Sequence, residues 1–287
     1  MPGEVVAVFG QHLLVEADGG RLVRCLPRRK QAPITCGDRV ALLSTGRDDA
    51  VIEAVDPRSS LFQRSSAHRS KLIAANATQA AVVVAVEPSF GDELATRMLI
   101  SAANAGMKGM VVLNKVDLMT DESTARRRVA PFAAAGYRVV ELSALDSAEP
   151  LKEHLRGETT VLIGQSGMGK STLINALFPG ANAATQGISH FLAAGRHTTS
   201  ASRLYRLDPD SAVIDSPGVK EFGLAHLDFG SIEGGMPEFA AYAGMCRFAG
   251  CHHDSEPACA VRHAAEEGRI PARRFELFRR IVEAERR

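Results

Sequence analysis

The sequence predicts an α/β protein in three parts: an OB-like β-barrel, a mostly parallel sheet covered by helices, and a helical tail. Three observations carry this. Before residue 60 there are five short apolar-rich runs and no helical pattern. From Ala80 onward, apolar runs alternate with stretches of helical spacing, the signature of a parallel sheet covered on both faces. Three of the five cysteines then crowd into one window, Cys246 to Cys259. The corresponding divisions are residues 1–60, 61–225 and 226–287.

Each element has its own warrant. The runs 4–9, 12–17, 21–26, 38–44 and 51–55 are separated by turn residues such as Asp18-Gly19-Gly20 and Gly46, which suits a small barrel. The polar, proline-bearing stretch from Asp56 to Lys71 reads as a linker. Ala80 to Val86 is continuously apolar, as a strand buried on both faces must be. A helix is expected over 92–105, then strand MVVLNK, a helix from about Asp121 to Ala135, strand YRVVELS, a short helix and strand TTVLIG. The pattern breaks near Leu224, and a last helix follows Pro271. Its Phe275, Phe278, Ile281 and Val282 share one face, best read as core packing.

Composition narrows the classes. A chain of 287 residues can hold two or three domains, and 45% apolar residues exclude global disorder. With 34 basic and 33 acidic side chains the formal charge is +1, which does not announce a nucleic-acid binder. Local basic clusters (Arg28-Arg29-Lys30, Arg126-Arg127-Arg128, and the end from Arg273 to Arg287) read as solvated faces. The longest apolar run, AAVVVAV, falls far short of the roughly 20 residues of a spanning helix. The N-terminus has no basic start ahead of an apolar stretch, so no secretory signal is expected. These points predict a cytoplasmic protein without membrane attachment, whose cysteines stay reduced. Cys25 and Cys36 read as small buried hydrophobes in the barrel.

The motifs carry chemistry. Gly164, Gln165, Ser166, Gly167, Met168, Gly169, Lys170 and Ser171 fit the phosphate-loop pattern, and Thr172 opens the helical run behind it. Glycines let backbone N–H groups converge on phosphate oxygens, Lys170 adds a point charge, and the Ser171 hydroxyl suits Mg²⁺. Asp215-Ser216-Pro217-Gly218 ends an apolar strand. There Asp215 can hold the Mg²⁺ shell and the Gly218 N–H can face a γ-phosphate. Asn114-Lys115-Val116-Asp117 also ends a strand. The Asp117 carboxylate can accept from guanine N1–H and the 2-amino group, a pairing adenine cannot offer. The Lys115 stem can lie along the base, and Ser143-Ala144 can add a backbone contact to the guanine carbonyl. Between the loop and Asp215, Gly195-Arg196-His197-Thr198-Thr199 offers hydroxyls for Mg²⁺, Thr199 foremost. Cys246, Cys251 and Cys259, with one nearby imidazole, suit tetrahedral Zn²⁺; His252, His253 and His263 are all close enough to supply it.

In that order, guanine motif first and phosphate loop second, the set resembles the circularly permuted GTPases of the ribosome small-subunit-dependent type (RsgA/YjeQ-like). The resemblance spans nearly the whole chain. It implies an N-terminal OB-like barrel, a central circularly permuted P-loop GTPase domain and a C-terminal helical zinc-binding domain. It selects Cys246, Cys251, His253 and Cys259 as ligands of one zinc ion, and Mg²⁺ as the companion of GTP. It implies GTP hydrolysis to GDP and phosphate during late maturation of the small ribosomal subunit, whose rRNA the barrel and tail would contact, and we expect a monomer. Val219 stands where many GTPases place a water-orienting glutamine, so turnover should be slow and His197 becomes the candidate for that task. The chain leaving Gly218 runs directly into the tail, so switch movement is expected to pull on it. The rival readings are a P-loop kinase, which has no use for a guanine reader, and a zinc-containing RNA-binding protein that keeps guanine nucleotide only as a structural or regulatory ligand.

Overall fold

The computed structural model describes residues 1–10, 12–27, 32–66, 69–121, 124–180 and 202–286. The first five strands are β1 Pro2–Phe9, β2 His12–Ala17, β3 Arg21–Pro27, β4 Arg39–Ser44 and β5 Asp49–Val55. β1 pairs with both β2 and β4, β3 runs parallel to β5, and β5 returns against β4, so the sheet closes on itself. That closure removes the free edges a five-stranded sheet would otherwise expose.

Side-chain alternation explains how the barrel joins its neighbour. Along β2, Leu13 and Val15 point into the barrel core, whereas Leu14 points out into the main core of the molecule. A bulge between Val5 and Ala7 changes the phase of β1: Val5 fills the barrel, while Val6 and Ala7 join the main core. Cys25 lies in the barrel core as expected, but Cys36, although fully buried, belongs to the main core. No disulfide is formed among the described residues.

Residues 56–71 are not a plain linker. β6 Leu61–Ser66 and β7 Arg69–Ala75 form an antiparallel hairpin. Only Phe62, with no exposed surface, and the Ile73–Ala75 end are deeply apolar, so the alternation that betrays a strand is missing. The second sheet region has the order β10-β9-β8-β11-β13-β12. Its members are β8 Gln79–Ala85, β9 Lys108–Asn114, β10 Arg138–Glu141, β11 Thr159–Ile163, β12 Arg203–Asp208 and β13 Ser211–Asp215. All pairings from β10 to β13 are parallel; β12 alone is antiparallel and meets β1 at Ala7 and Arg203.

Helices α1 Asp92–Asn104 and α2 Ala125–Ala134 cover β8 to β10, while α3 Glu149–Leu155 and α4 Lys170–Leu177 pack on β13. The tail holds α5 Phe229–Gly234, α6 Ala260–Glu266 and α7 Ala272–Glu285. α7 lies against α1 with Phe278 and Ile281 fully buried, the core packing its spacing predicts. Its basic run is not uniformly solvated. Arg274 has no exposed surface: it pairs with Glu238 at 2.6 Å, donates to Thr96 Oγ1 at 2.8 Å, and lies over the rings of Phe132 and Tyr137. No helix among the described residues is long and apolar enough to cross a membrane.

Candidate nucleotide site and metal cluster

Parallel strands deliver their following loops to one edge of the sheet, where ligands of such folds gather. Here β8, β9, β10, β11 and β13 all end at that edge. The loop Gly164–Ser171 leaves β11 and turns into α4. A Cβ at Gly164 would stand 2.2 Å from the carbonyl oxygen of Val83, so only glycine lets β11 run this close to β8. Lys170 is 7% exposed and its Nζ donates to the carbonyls of Gly164 (2.8 Å) and Gln165 (3.0 Å). Gln165 Oε1 accepts from the Gly91 N–H at 2.8 Å, fastening the loop to the start of α1. Ser171 is exposed and Thr172 half-buried at the first turn of α4.

Asp215 ends β13 beside this loop. Burial pushes its carboxyl up to about 6, against the opposing pull of the Lys170 charge; burial in turn lowers the Lys170 pKa, which Asp215 opposes. Each charge offsets part of the other's desolvation, and a cation delivered to Asp215 would do the same more fully. The Gly218 backbone abuts Lys170, whose Nζ lies 3.4 Å from where a Cβ would stand. Val219 is 6% exposed and its N–H donates to Gly164 O at 3.1 Å. Its side chain is therefore apolar, buried and unable to orient water.

The guanine motif converges on the same edge through Asn114. This side chain is 1% exposed; its Nδ2 donates to Met168 O and its Oδ1 accepts from Ala144 N–H, each at 3.0 Å. One amide thus ties three loops together: NKVD, the phosphate loop and Ser143-Ala144. Lys115 adopts the left-handed conformation (φ 62°), and its Cε lies 3.6 Å from where a Cβ would stand on Gly169. Asp117 is exposed, its carboxylate open to solvent. Ser143 is 6% exposed, yet its Oγ has no hydrogen-bond partner among the described residues. An orphaned buried hydroxyl on the Ser143-Ala144 loop, which Asn114 ties to NKVD, fits a loop built to be completed by a polar ligand.

His197 and Thr199, with the rest of Gly195–Thr199, lie outside the described residues. Sequence reasoning overlooked the hairpin and its partner segment. Ser65 N–H donates to Gly223 O at 3.0 Å, Arg64 donates to Glu221 O at 2.5 Å, and Ser65 Oγ meets His226 Nδ1 at 2.6 Å. Burial lowers the His226 pKa, and Glu285 opposes that shift. The segment that leaves Gly218 is therefore stitched to β6, and farther on Leu224 N–H donates to Glu285 of α7 at 3.1 Å. The only sequence signal for this was the Glu-Phe-Gly run at 221–223, where glycine permits the close approach.

In the tail, Cys246, Cys251, His253 and Cys259 bring their ligand atoms within 4.8 Å of one another. Cys246 and Cys259 sulfurs are 3.9 Å apart, near the roughly 3.8 Å edge of a tetrahedron with zinc–sulfur bonds of about 2.3 Å. His253 Nδ1 faces the thiols, 3.2 Å from Cys259, while Nε2 is held by Glu233. A carboxylate behind a ligating imidazole sets its tautomer and orientation. Burial, together with the adjoining thiols, pushes the Cys251 pKa up to about 12, and a cation at the cluster would oppose that shift. His252 and His263 point elsewhere, toward Glu256 and Glu267.

Comparison with known proteins gives a consistent picture. A family model described as RsgA GTPase matches residues 55–225. A protein of Burkholderia mallei (strain SAVP1) named small ribosomal subunit biogenesis GTPase RsgA is 47% identical over 285 residues, covering 98% of this chain and 91% of that protein. The crystal structure of YjeQ from Thermotoga maritima is similar at a TM-score of 0.77 and 27% identity, covering 99% of this chain and 98% of the other. The structure of YloQ, titled a circularly permuted GTPase, is similar in fold at a TM-score of 0.73 and 23% identity, covering 99% and 94%.

Proposed function

This chain belongs to the RsgA GTPase family, and from that premise we propose that it hydrolyses GTP to GDP and phosphate in the maturation of the small ribosomal subunit. The observation that carries the reading is Asn114, whose two hydrogen bonds hold guanine-reading and phosphate-holding loops at one sheet edge. The amides of Gly164–Thr172 and the Lys170 ammonium hold the phosphates, and Asp117 reads the base, with Lys115 and Ser143-Ala144 completing its pocket. Ser171, Asp215 and Thr199 would hold Mg²⁺, which would supply neutralisation of phosphate charge. Zn²⁺ is the ion we assign to Cys246, Cys251, His253 and Cys259, where it would supply cross-linking of the tail.

With Val219 buried, water must be oriented by another group, and His197 is our candidate. Replacing it with Ala should slow hydrolysis and leave GTP binding intact; lost affinity with unchanged turnover refutes the role. A role on the small subunit also supports a cytoplasmic location and contact with rRNA, and a monomer is our reading of its state. The test of the whole reading is GTP hydrolysis measured with and without purified small ribosomal subunits. Stimulated phosphate release supports it. Binding without any release would instead favour a non-catalytic nucleotide-carrying RNA binder, for which no observation here speaks.

A further inference from the structure

The β6–β7 hairpin carries two cations on one face. Arg64 and Lys71 are directly opposed in the register, so their side chains leave the ribbon on the same side. That side faces the turn after β13: Arg64, Lys71, Ser216, Gly218 and Val219 line one cavity of 270 Å³. Gly218 separates this cavity from Lys170, which abuts it from the phosphate-loop side. The γ-phosphate of a bound GTP, held by Lys170 and the Gly218 N–H, would therefore lie at the wall of the cavity into which the hairpin cations project.

The hairpin is also held firmly enough to position a charge. Ser65 N–H bonds Gly223 O at 3.0 Å, and Arg64 is anchored on Glu221 O at 2.5 Å. Arg64 is thereby committed to the backbone, whereas Lys71 is exposed and makes no ion pair among the described residues. A flexible ammonium on a fixed strand, reaching the cavity wall at Gly218 next to a buried Val219 that cannot orient water, can supply the charge a transition state of this kind calls for.

We propose that Lys71 is a further catalytic residue, an in-cis cation that contacts the γ-phosphate oxygens during hydrolysis, with Arg64 as the positioning residue that fixes its strand. The proposal rests on the GTPase reading above. In the step it serves, a water oxygen bonds to the γ-phosphorus and the bond from that phosphorus to the bridging oxygen breaks. The electron pair leaves on the GDP oxygen, and the water proton ends on the released phosphate. Lys71 stays protonated and supplies charge alone, which is worth most as charge redistributes in the transition state.

The test uses the full chain without ribosomal subunits, so that altered docking cannot imitate the effect. Single-turnover GTP hydrolysis, GDP affinity and affinity for GDP·AlF₄⁻ are measured for wild type, Lys71→Ala, Lys71→Arg and Arg64→Ala. Lys71→Ala is expected to slow hydrolysis and weaken GDP·AlF₄⁻ binding at least about tenfold, with GDP affinity unchanged. Lys71→Arg should restore most of both, and Arg64→Ala should lower the rate without changing GDP affinity. Hydrolysis and GDP·AlF₄⁻ binding by Lys71→Ala at wild-type levels overturn the proposal, as does a loss that extends equally to GDP. If the wild-type chain fails to bind guanine nucleotide at all, it is the GTPase reading that falls.

Discussion

Asn114 shows how one side chain can matter more than its motif membership indicates. The spacing of NKVD identified it as part of a guanine reader, but its work is architectural: it satisfies Met168 O and Ala144 N–H, neither of which water can reach. Asn114→Ala leaves both orphaned. We expect a loss of roughly 2–4 kcal/mol in unfolding free energy and at least about tenfold in GDP affinity, measured by urea denaturation and fluorescent-nucleotide titration. Asp117 answers a different test. In Asp117→Asn an amide donor meets the 2-amino donor of guanine, so GTP affinity should fall by roughly a hundredfold or more. Xanthosine nucleotides, which carry an acceptor at that carbon, should bind the variant better than guanosine nucleotides do; equal preference would refute base reading by Asp117. Arg274 was illegible in the sequence because nothing local distinguishes it from the other arginines of the helix; only the fold reveals Glu238 and Thr96 around it.

At the level of elements, the barrel and the alternating strands were readable because their apolar periodicity is dense. The β6–β7 hairpin was not, since most of its outward surface is polar and its inward contacts come from residues far along the chain. Its attachment depends on Gly223, where a Cβ would stand 2.1 Å from Ser65 O. Gly223→Ala must push the two segments apart. Hydrogen exchange should then accelerate at Ser65 and Ala225, whose amides bridge the segments, while exchange in β8 and β9 stays at wild-type rates. Unchanged protection at Ser65 would show that the stitch is not what holds the hairpin. β12 was likewise missed, because Arg203, Arg206 and Asp208 interrupt its apolar residues, although Leu204 is buried and Tyr205 and Leu207 pack partly against the core; its antiparallel register with β13 identifies it.

Across the whole molecule, the tail is docked rather than tethered. Arg274, paired with Glu238 within the tail at 2.6 Å and essentially without solvent, joins it to α1 by donating to Thr96 Oγ1 at 2.8 Å, and Arg97 of α1 pairs with Glu285 of α7. Arg274→Ala strands a buried carboxylate and should cost about 3–5 kcal/mol, whereas a paired Arg274→Met, Glu238→Met change should recover most of the loss; urea denaturation of both variants decides. Chelation should expose Cys246, Cys251 and Cys259 to thiol reagents and loosen 246–266, with GDP affinity kept within about twofold. Motif order, sheet class and the cysteine set were legible because each is local in the chain; the docking, which links residues far apart in sequence, was not. The sheet order has one more consequence. Within the second sheet region, β8, β9 and β10 are contiguous in space and are synthesised before β11, β13 and β12, which are also contiguous. The nascent chain therefore completes one block before the other exists, with their seam running between β8 and β11, and a nucleotide gripped, as proposed, by Asp117 on one side and Lys170 on the other would close that seam like a rivet.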